Sequence, residues 1–239
     1  MSEPAREVQP GLWVRGFTPP LKLSDFRLAA FDMDSTLINI ECIDEIAAVA
    51  GRKAEVAAIT EAAMRGEITD FKDSLRRRLA LLQGVPAAAL ETVLTKRLRL
   101  NPGVEAFIGA CRAANVKTLL VSGGFTFFSA AVQQRLQMDF ARANVLELVD
   151  GRLSGSVLAQ PWGDIVDGAM KRQTLLETAS AIGAEPSQCI AVGDGANDLP
   201  MMAAAGLSIA FHAKPAVRAQ AMLSITEGGM DRALALLGG

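Results

Sequence analysis

Two aspartates separated by one residue, Asp32 and Asp34, stand directly after the apolar run Leu28-Ala29-Ala30-Phe31. A carboxylate placed there can attack phosphorus and carry the phosphoryl group as an acyl phosphate. A second one, two residues on, can protonate the leaving alkoxide and then take a proton from water. As an ordinary turn, Asp32-Met33-Asp34-Ser35-Thr36 would offer only a helix cap from Ser35 or Thr36. A calcium loop wants Gly at its sixth position and Glu at its twelfth, where this chain has Leu37 and Ile43. A second acidic pair, Asp194 and Asp198, lies in Gly193-Asp194-Gly195-Ala196-Asn197-Asp198. Hard oxygen ligands in a glycine-flanked loop suit Mg2+, which takes few carboxylates and keeps waters and a substrate phosphate. The loop begins like a dinucleotide fingerprint, but its sixth position is Asp198 rather than Gly, and its acidity would repel a pyrophosphate.

Other residues could complete such a site. Ser122-Gly123-Gly124 offers a hydroxyl and backbone N–H groups to an anion, although an ordinary loop would read the same. Lys171 falls in the first turn of a helix, where the dipole disfavours a cation. It is either a snorkelling side chain or a charge that stabilises a transferring phosphoryl group, and the second reading is favoured. In Arg76-Arg77-Arg78, helical geometry places only Arg78 on the stripe of Phe71, Leu75 and Leu82. A cation on an apolar stripe needs a partner, and a substrate carboxylate is a fitting one. Glu41 could match a substrate ammonium or be a first-turn helix acid.

These residues need elements to bring them together. Residues 1–24 read as an irregular lead-in broken by Pro10, Gly11, Pro19 and Pro20. Apolar runs predict strands at Leu28–Phe31, Val116–Val121, Cys189–Val192, Leu207–Phe211 and Leu223–Ile225, with Asp150-Gly151 turning a hairpin of Val145–Val149 and Arg152–Leu158. Helical spacing marks 104–114, 126–137 and 171–182, and it runs without a strand through 41–99. The alternation predicts an α/β fold, a Rossmann-like parallel sheet with helices on both faces. Its core would be 25–40 and 100–239, with 41–99 an inserted all-helical cap. Ligands of open α/β sheets bind beyond the carboxyl ends of the strands, where the Asp32, Ser122 and Asp194 clusters all fall.

The chain has 239 residues, half of them hydrophobic, and a formal net charge of −2. Its basic residues are dispersed, so no nucleic-acid partner is expected. No apolar stretch approaches the ~20 residues of a membrane span, and the N-terminus lacks a signal-peptide core. The cysteines Cys42, Cys111 and Cys189 are widely spaced, which argues against a disulfide framework or zinc site and for a reducing cytoplasm. A single histidine, His212, leaves too few ligands for chemistry built on a histidine pair.

Taken together, the FDMDSTL, VSGG, Lys171 and GDGANDLPM segments resemble the four ordered motifs of the haloacid dehalogenase-like phosphatases. Within that superfamily, DMDSTLINIECIDEIA, AMRGEITDFKDSLRRRL, SGGFTFF and GDIVDGAMK are similar to the members that act on phosphoserine. The resemblance implies hydrolysis of O-phospho-L-serine through an aspartyl-phosphate, the last step of serine biosynthesis, by a monomer or homodimer. It implies Asp32 as nucleophile, Asp34 as acid/base, and Mg2+ on Asp32, the backbone carbonyl of Asp34, and Asp194. Ser122, Gly123 and Lys171 would hold the phosphate, Asn197 would contact substrate or phosphate, and Asp198 would support the metal or Lys171. Glu41 would meet the ammonium and Arg78 the carboxylate, with Met64 and Phe71 lining the cap. The alternatives are a related phosphatase or phosphotransferase acting on another small phosphate monoester, and a signalling receiver module. A receiver keeps its phosphoryl group, whereas Asp34 is placed to discharge it.

Overall fold

The runs LAAF, CIAVG, LSIAF and LSI are buried at every position, as strands covered on both faces must be. The structure, a computed structural model, describes residues 4–64, 67–163 and 165–238. Its strands are β1 (Arg6–Gln9), β2 (Leu12–Val14), β3 (Leu21–Lys22), β4 (Leu28–Phe31), β5 (Lys117–Phe125), β6 (Phe140–Val149), β7 (Arg152–Leu158), β8 (Cys189–Gly193), β9 (Leu207–Phe211), β10 (Leu223–Ile225) and β11 (Leu237–Gly238). The helices are α1 (Cys42–Val49), α2 (Lys53–Met64), α3 (Phe71–Ala80), α4 (Ala88–Lys96), α5 (Val104–Ala113), α6 (Thr126–Leu136), α7 (Gly168–Ala181), α8 (Leu199–Met202) and α9 (Pro215–Arg218).

The main sheet runs β1-β2-β10-β9-β8-β4-β5-β6-β7. From β10 to β6 the strands are parallel, and the sheet is closed at each end by antiparallel partners. Successive side chains point to opposite faces, and the core divides accordingly. Ala29, Phe31, Ile190 and Val192 pack with Phe107 of α5 and Phe128 of α6. Leu28, Ala30, Cys189 and Ala191 pack with Leu175 of α7 and Met201 of α8 on the other side. Each fully buried large side chain stabilises the fold by roughly 1.5–3 kcal/mol.

The lead-in differs from expectation. Instead of an irregular segment, Arg6–Gln9 and Leu12–Val14 form β1 and β2, and β2 pairs with β10 near the other end of the chain. Local signal was weak because each run is short and the pairing is long-range. The hairpin took the expected form: Asp150 (φ 49°) and Gly151 (φ 72°) both adopt the left-handed backbone that a primed turn requires.

Register places the site. Phe31 of β4 lies level with Leu120 of β5 and Val192 of β8, so all three strands deliver their carboxyl ends to one edge. Helices α1–α4 occupy the stretch between β4 and α5. The chain leaves and re-enters the sheet through a stitched pair, with Asn39 N donating to Arg99 O (3.0 Å) and Arg99 N to Asn39 Oδ1 (2.8 Å).

Candidate active site

Asp32 follows the last residue of β4 and its N–H donates to Val192 O (3.0 Å), which fixes it to the neighbouring strand. Its Oδ1 accepts from Met33 N (2.8 Å) and lies 2.7 Å from Lys171 Nζ. Lys171 is fully buried, so it does not snorkel to solvent, and its ammonium bridges Asp32 and Asp198 Oδ1 (2.6 Å). Burial alone would strip its proton, but the two carboxylates outweigh it and hold the lysine charged, with its pKa raised. Asp198 Oδ2 in turn accepts from the N–H groups of Asp194 (3.1 Å) and Gly195 (3.0 Å). A Cβ at Gly193 would collide with the Asp198 side chain, so only glycine lets this carboxylate fold back under its own loop.

Burial raises the carboxyl of Asp32, Asp198 and Asp194 add to the rise, and the Lys171 ammonium opposes it. Burial, then Asp198, push Asp194 up to about 6, while the Thr36 hydroxyl donates to its Oδ1 (3.1 Å). Ligand atoms of Asp32, Asp194 and Asp198 lie within 4.8 Å of one another. Lys171 touches Asp32 and Asp198, and no ion pair of the described residues neutralises Asp194. An acidic oxygen cluster of this kind fits a small divalent cation. Asp198 is the least available of the three, because both its oxygens are already bonded.

Asp34 lies on the turn Met33–Leu37, which Asn101 clamps by donating to the carbonyls of Thr36 (2.9 Å) and Ile38 (3.0 Å). Its Oδ2 accepts from Cys42 N at the start of α1 (3.4 Å), while its buried Oδ1 has no hydrogen-bond partner among the described residues. Burial first, then the Glu41 charge, raise its carboxyl to about 7. Ser35, held at φ 58°, donates its hydroxyl to Glu41 Oε1 (2.8 Å). Glu41 presents surface to the cavity yet is walled by protein, and that burial raises its carboxyl.

The second cluster departs from an open loop. β5 continues through Ser122-Gly123-Gly124 to Phe125, with an irregular register against β6. Ser122 Oγ accepts from Gly124 N (2.9 Å). The fully buried Asn144 donates to Gly123 O (2.7 Å) and accepts from Val166 N (2.8 Å). A Cβ at Gly123 would sit 2.8 Å from Phe71 Cζ, so the ring of α3 closes directly over this backbone. Lys72 of α3 reaches Asp167, the N-cap of α7, at 3.6 Å.

A cavity of about 760 Å3 joins these groups. Asp32, Asp34, Glu41, Phe71, Arg78, Ser122, Gly123, Asp194 and Asn197 line it, while Lys171 and Asp198 lie beneath its floor. Arg76 and Arg77 are exposed, whereas Arg78 is half-buried with Nε donating to Ser74 O (3.4 Å). Burial lowers its pKa, against the pull of Asp44, Glu41 and Asp34. Met64 ends α2, and its side chain lies outside the described residues. Sequence reasoning gave Thr36 no role beyond a helix cap, and it overlooked the supporting residues Asn101 and Asn144 and the lining residues Asp44 and Lys214. Asn144 had little local signal, since it stands just before the predicted strand Val145–Val149 and the strand that forms, Phe140–Val149, also carries Arg142 and Glu147. Lys214 had none, since only the fold brings it to the cavity.

A family model described as haloacid dehalogenase-like hydrolase matches residues 26–206. The chain is 63% identical over 97% of its length to "Phosphoserine phosphatase" of Polaromonas sp. (strain JS666 / ATCC BAA-500), covering 98% of that protein. It is 62% identical over 96% of its length to "Phosphoserine phosphatase" of Albidiferax ferrireducens (strain ATCC BAA-621 / DSM 15236 / T118), covering 97% of it. A solved structure described as "Phospho-Aspartyl Intermediate Analogue of Phosphoserine phosphatase" superposes with a TM-score of 0.81 at 37% identity, covering 89% of this chain and 99% of that one.

Proposed function

We propose, from the plain finding that this chain belongs to the haloacid dehalogenase-like hydrolases, that it hydrolyses O-phospho-L-serine to L-serine and phosphate, closing serine biosynthesis in the cytoplasm. The single observation that carries this reading is the pairing of unlike carboxylates in one cavity. Asp32 is held against a buried ammonium, and Asp34 faces the cavity with a carboxyl that burial and the Glu41 charge raise to about 7. The two relatives that match nearly end to end, both called phosphoserine phosphatase, support the substrate.

In this reading Asp32 attacks phosphorus, the P–O ester bond breaks, and the phosphoryl group moves to the Asp32 carboxylate. Asp34 gives its proton to the departing serine oxygen. Water then attacks the aspartyl-phosphate, Asp34 takes back a proton, and phosphate leaves with Asp32 restored. The Ser122 hydroxyl, the Gly123 backbone and Lys171 hold the phosphoryl oxygens, with Asn197 beside them, and Asp198 keeps Lys171 in place. Asp32, Asp194 and the backbone carbonyl of Asp34 are the groups that would hold Mg2+. The ion would offset carboxylate repulsion and polarise the phosphoryl oxygens. Residues 41–99 act as a cap on the core, with Glu41 taking the substrate ammonium, Arg78 its carboxylate, and Phe71 and Met64 lining the enclosure. All these residues come from one chain, so a monomer suffices and a homodimer would carry two such sites. The free, buried cysteines suit a reducing compartment.

The test is phosphate release from L-phosphoserine with and without Mg2+, beside glycerol phosphate and phosphothreonine. We expect efficient, Mg2+-dependent release from L-phosphoserine and little from the others. Comparable release from glycerol phosphate would overturn the substrate assignment, and undiminished release in EDTA would overturn the metal.

A further inference from the structure

The outer edge of β7 is covered by the segment that joins α3 to α4. Gly84 N donates to Leu153 O (2.8 Å), Leu153 N to Val85 O (2.9 Å), and Ala87 N to Gly151 O (2.9 Å). Arg152 Nη1 adds a bond to Gly84 O (2.9 Å). An uncovered edge strand would leave these groups unpaired, so the β6–β7 hairpin and the α3–α4 connection close on each other. Two residues further along β7, Gly155 has φ 91°, and a Cβ there would meet Gln83 Cβ at 3.2 Å and both Ala80 Cα and Leu79 O at 3.4 Å. The hairpin therefore reaches the last turn of α3 at bare backbone distance, one to two residues from Arg78.

That contact bears on the cavity. Arg78 is half-buried, among the described residues its side chain bonds back to Ser74 O of its own helix, and α3 also supplies Phe71, Ser74 and Leu75 to the lining. Where Arg78 points is set by where α3 sits. The first end of α3 rests on Gly123 through Phe71, and the second rests on β7 through Gly155. The hairpin's tip and outer face are exposed, with Leu148, Val149 and Leu158 facing solvent, while Leu146, Leu153 and Val157 pack on the core.

We propose that Gly155 and Arg152 of the β6–β7 hairpin are positioning residues for substrate selection: they seat the end of α3 and so fix the reach of Arg78 toward the substrate's carboxylate. The inference rests on the assignment of Arg78 made above. A misplacement of a fraction of an ångström to 1 Å in a binding group costs up to roughly 100-fold, and because the hairpin touches the end of α3 next to Arg78, far from Phe71 at its other end, substrates that use Arg78 would feel it most.

Gly155→Ala and Arg152→Ala, each with and without Arg78→Ala, would be assayed on O-phospho-L-serine and on p-nitrophenyl phosphate, which lacks the carboxylate. We expect Gly155→Ala to raise KM for phosphoserine roughly five- to twentyfold and Arg152→Ala roughly two- to threefold. The kcat/KM for p-nitrophenyl phosphate should stay within about twofold. Neither change should add to the loss in an Arg78→Ala background. Trimming the facing side chain in Gly155→Ala/Gln83→Gly should recover the part of the affinity lost to the Gln83 Cβ contact, while the part due to backbone strain at φ 91° stays, and general destabilisation would give no recovery. Equal losses on both substrates, or losses that multiply with Arg78→Ala, would overturn the inference. Should Gly155→Ala fail to fold, Arg152→Ala decides alone by the same criteria. If Arg78→Ala itself leaves the two substrates equally affected, the Arg78 assignment falls and this inference with it. If Arg78→Ala destroys selectivity while the hairpin variants preserve it, only the hairpin's role falls.

Discussion

Asp34→Asn would separate what this carboxyl does for stability from what it does for catalysis. In the folded chain burial and the Glu41 charge hold it at about 7, against an ordinary value of 3.8. Between those two values the folded protein keeps a proton that the unfolded chain has released. Folding is then linked to proton uptake, and stability falls as pH rises through that window. At 1.36 kcal/mol per unit, three units give a ceiling of ~4 kcal/mol above pH 7. Asp34 borders the open cavity, where water screens its charge, so we expect ~1–3 kcal/mol. Asn has no charge to bury and can still accept from Cys42 N.

The assay is urea unfolding of wild type and Asp34→Asn in EDTA from pH 4 to pH 8. The two should be equal near pH 4, and the variant should gain steadily to pH 7 and then plateau. For a chain of this size, ~1–3 kcal/mol corresponds to roughly 3–10 °C in Tm. The same variant should lose at least ~100-fold in turnover of phosphoserine, since it has no proton to give. A wild type as stable as the variant at pH 8 would refute the claim that this carboxyl is held protonated by burial.

Asp32→Asn is nearly isosteric and leaves Lys171 paired to Asp198, so it should fold normally while turnover drops on the order of 10⁴-fold or more. Circular dichroism with a phosphate-release assay checks both halves, and substantial activity in verified, non-deamidated protein would remove Asp32 as nucleophile. Arg78→Ala should raise KM for phosphoserine roughly 10- to 100-fold, the value of a charge-assisted hydrogen bond, with p-nitrophenyl phosphate little affected. Steady-state kinetics on the two substrates decide it, and equal losses would exclude a role in carboxylate recognition.

The parts legible from sequence were those whose signal is local. β4, β9 and β10 fall where apolar runs put them, and Asp150-Gly151 announced its own turn. Lys171 stood out because a lysine in a first helical turn needs a reason, and Arg78 because its stripe is otherwise apolar. What escaped depends on partners far along the chain. β2 is only three residues long, and its pairing with β10 spans almost the whole sequence. Helical spacing through 41–99 gave no hint that the backbone of Gly84, Val85 and Ala87 is spent on the β6–β7 hairpin. Ser122-Gly123-Gly124 looked like an open loop because glycines weaken a strand pattern. Here they keep β5 extended under Phe71 and beside Met33 and Asp34.

The four aspartates share one chemistry and differ only in what already occupies their oxygens, and this difference supports the division of labour proposed for them. Asp198 has both oxygens bonded, to Lys171 on one side and to two backbone N–H groups on the other. A carboxylate so saturated is a poor nucleophile and a poor ligand, but a firm anchor for a buried ammonium. Asp32 has its bonds gathered on Oδ1, leaving Oδ2 without a described partner, as the proposed attack requires. The Asp194 carboxylate takes, among the described residues, the Thr36 hydroxyl and keeps acceptor capacity for a cation. Asp34 is the one with a buried oxygen that meets nothing. An orphaned carboxylate oxygen is costly when ionised, whereas the neutral acid can hand its proton to a leaving group. Residue type alone does not distinguish the four, so altering the partners of any one would be expected to impair the role proposed for it even with its carboxylate intact.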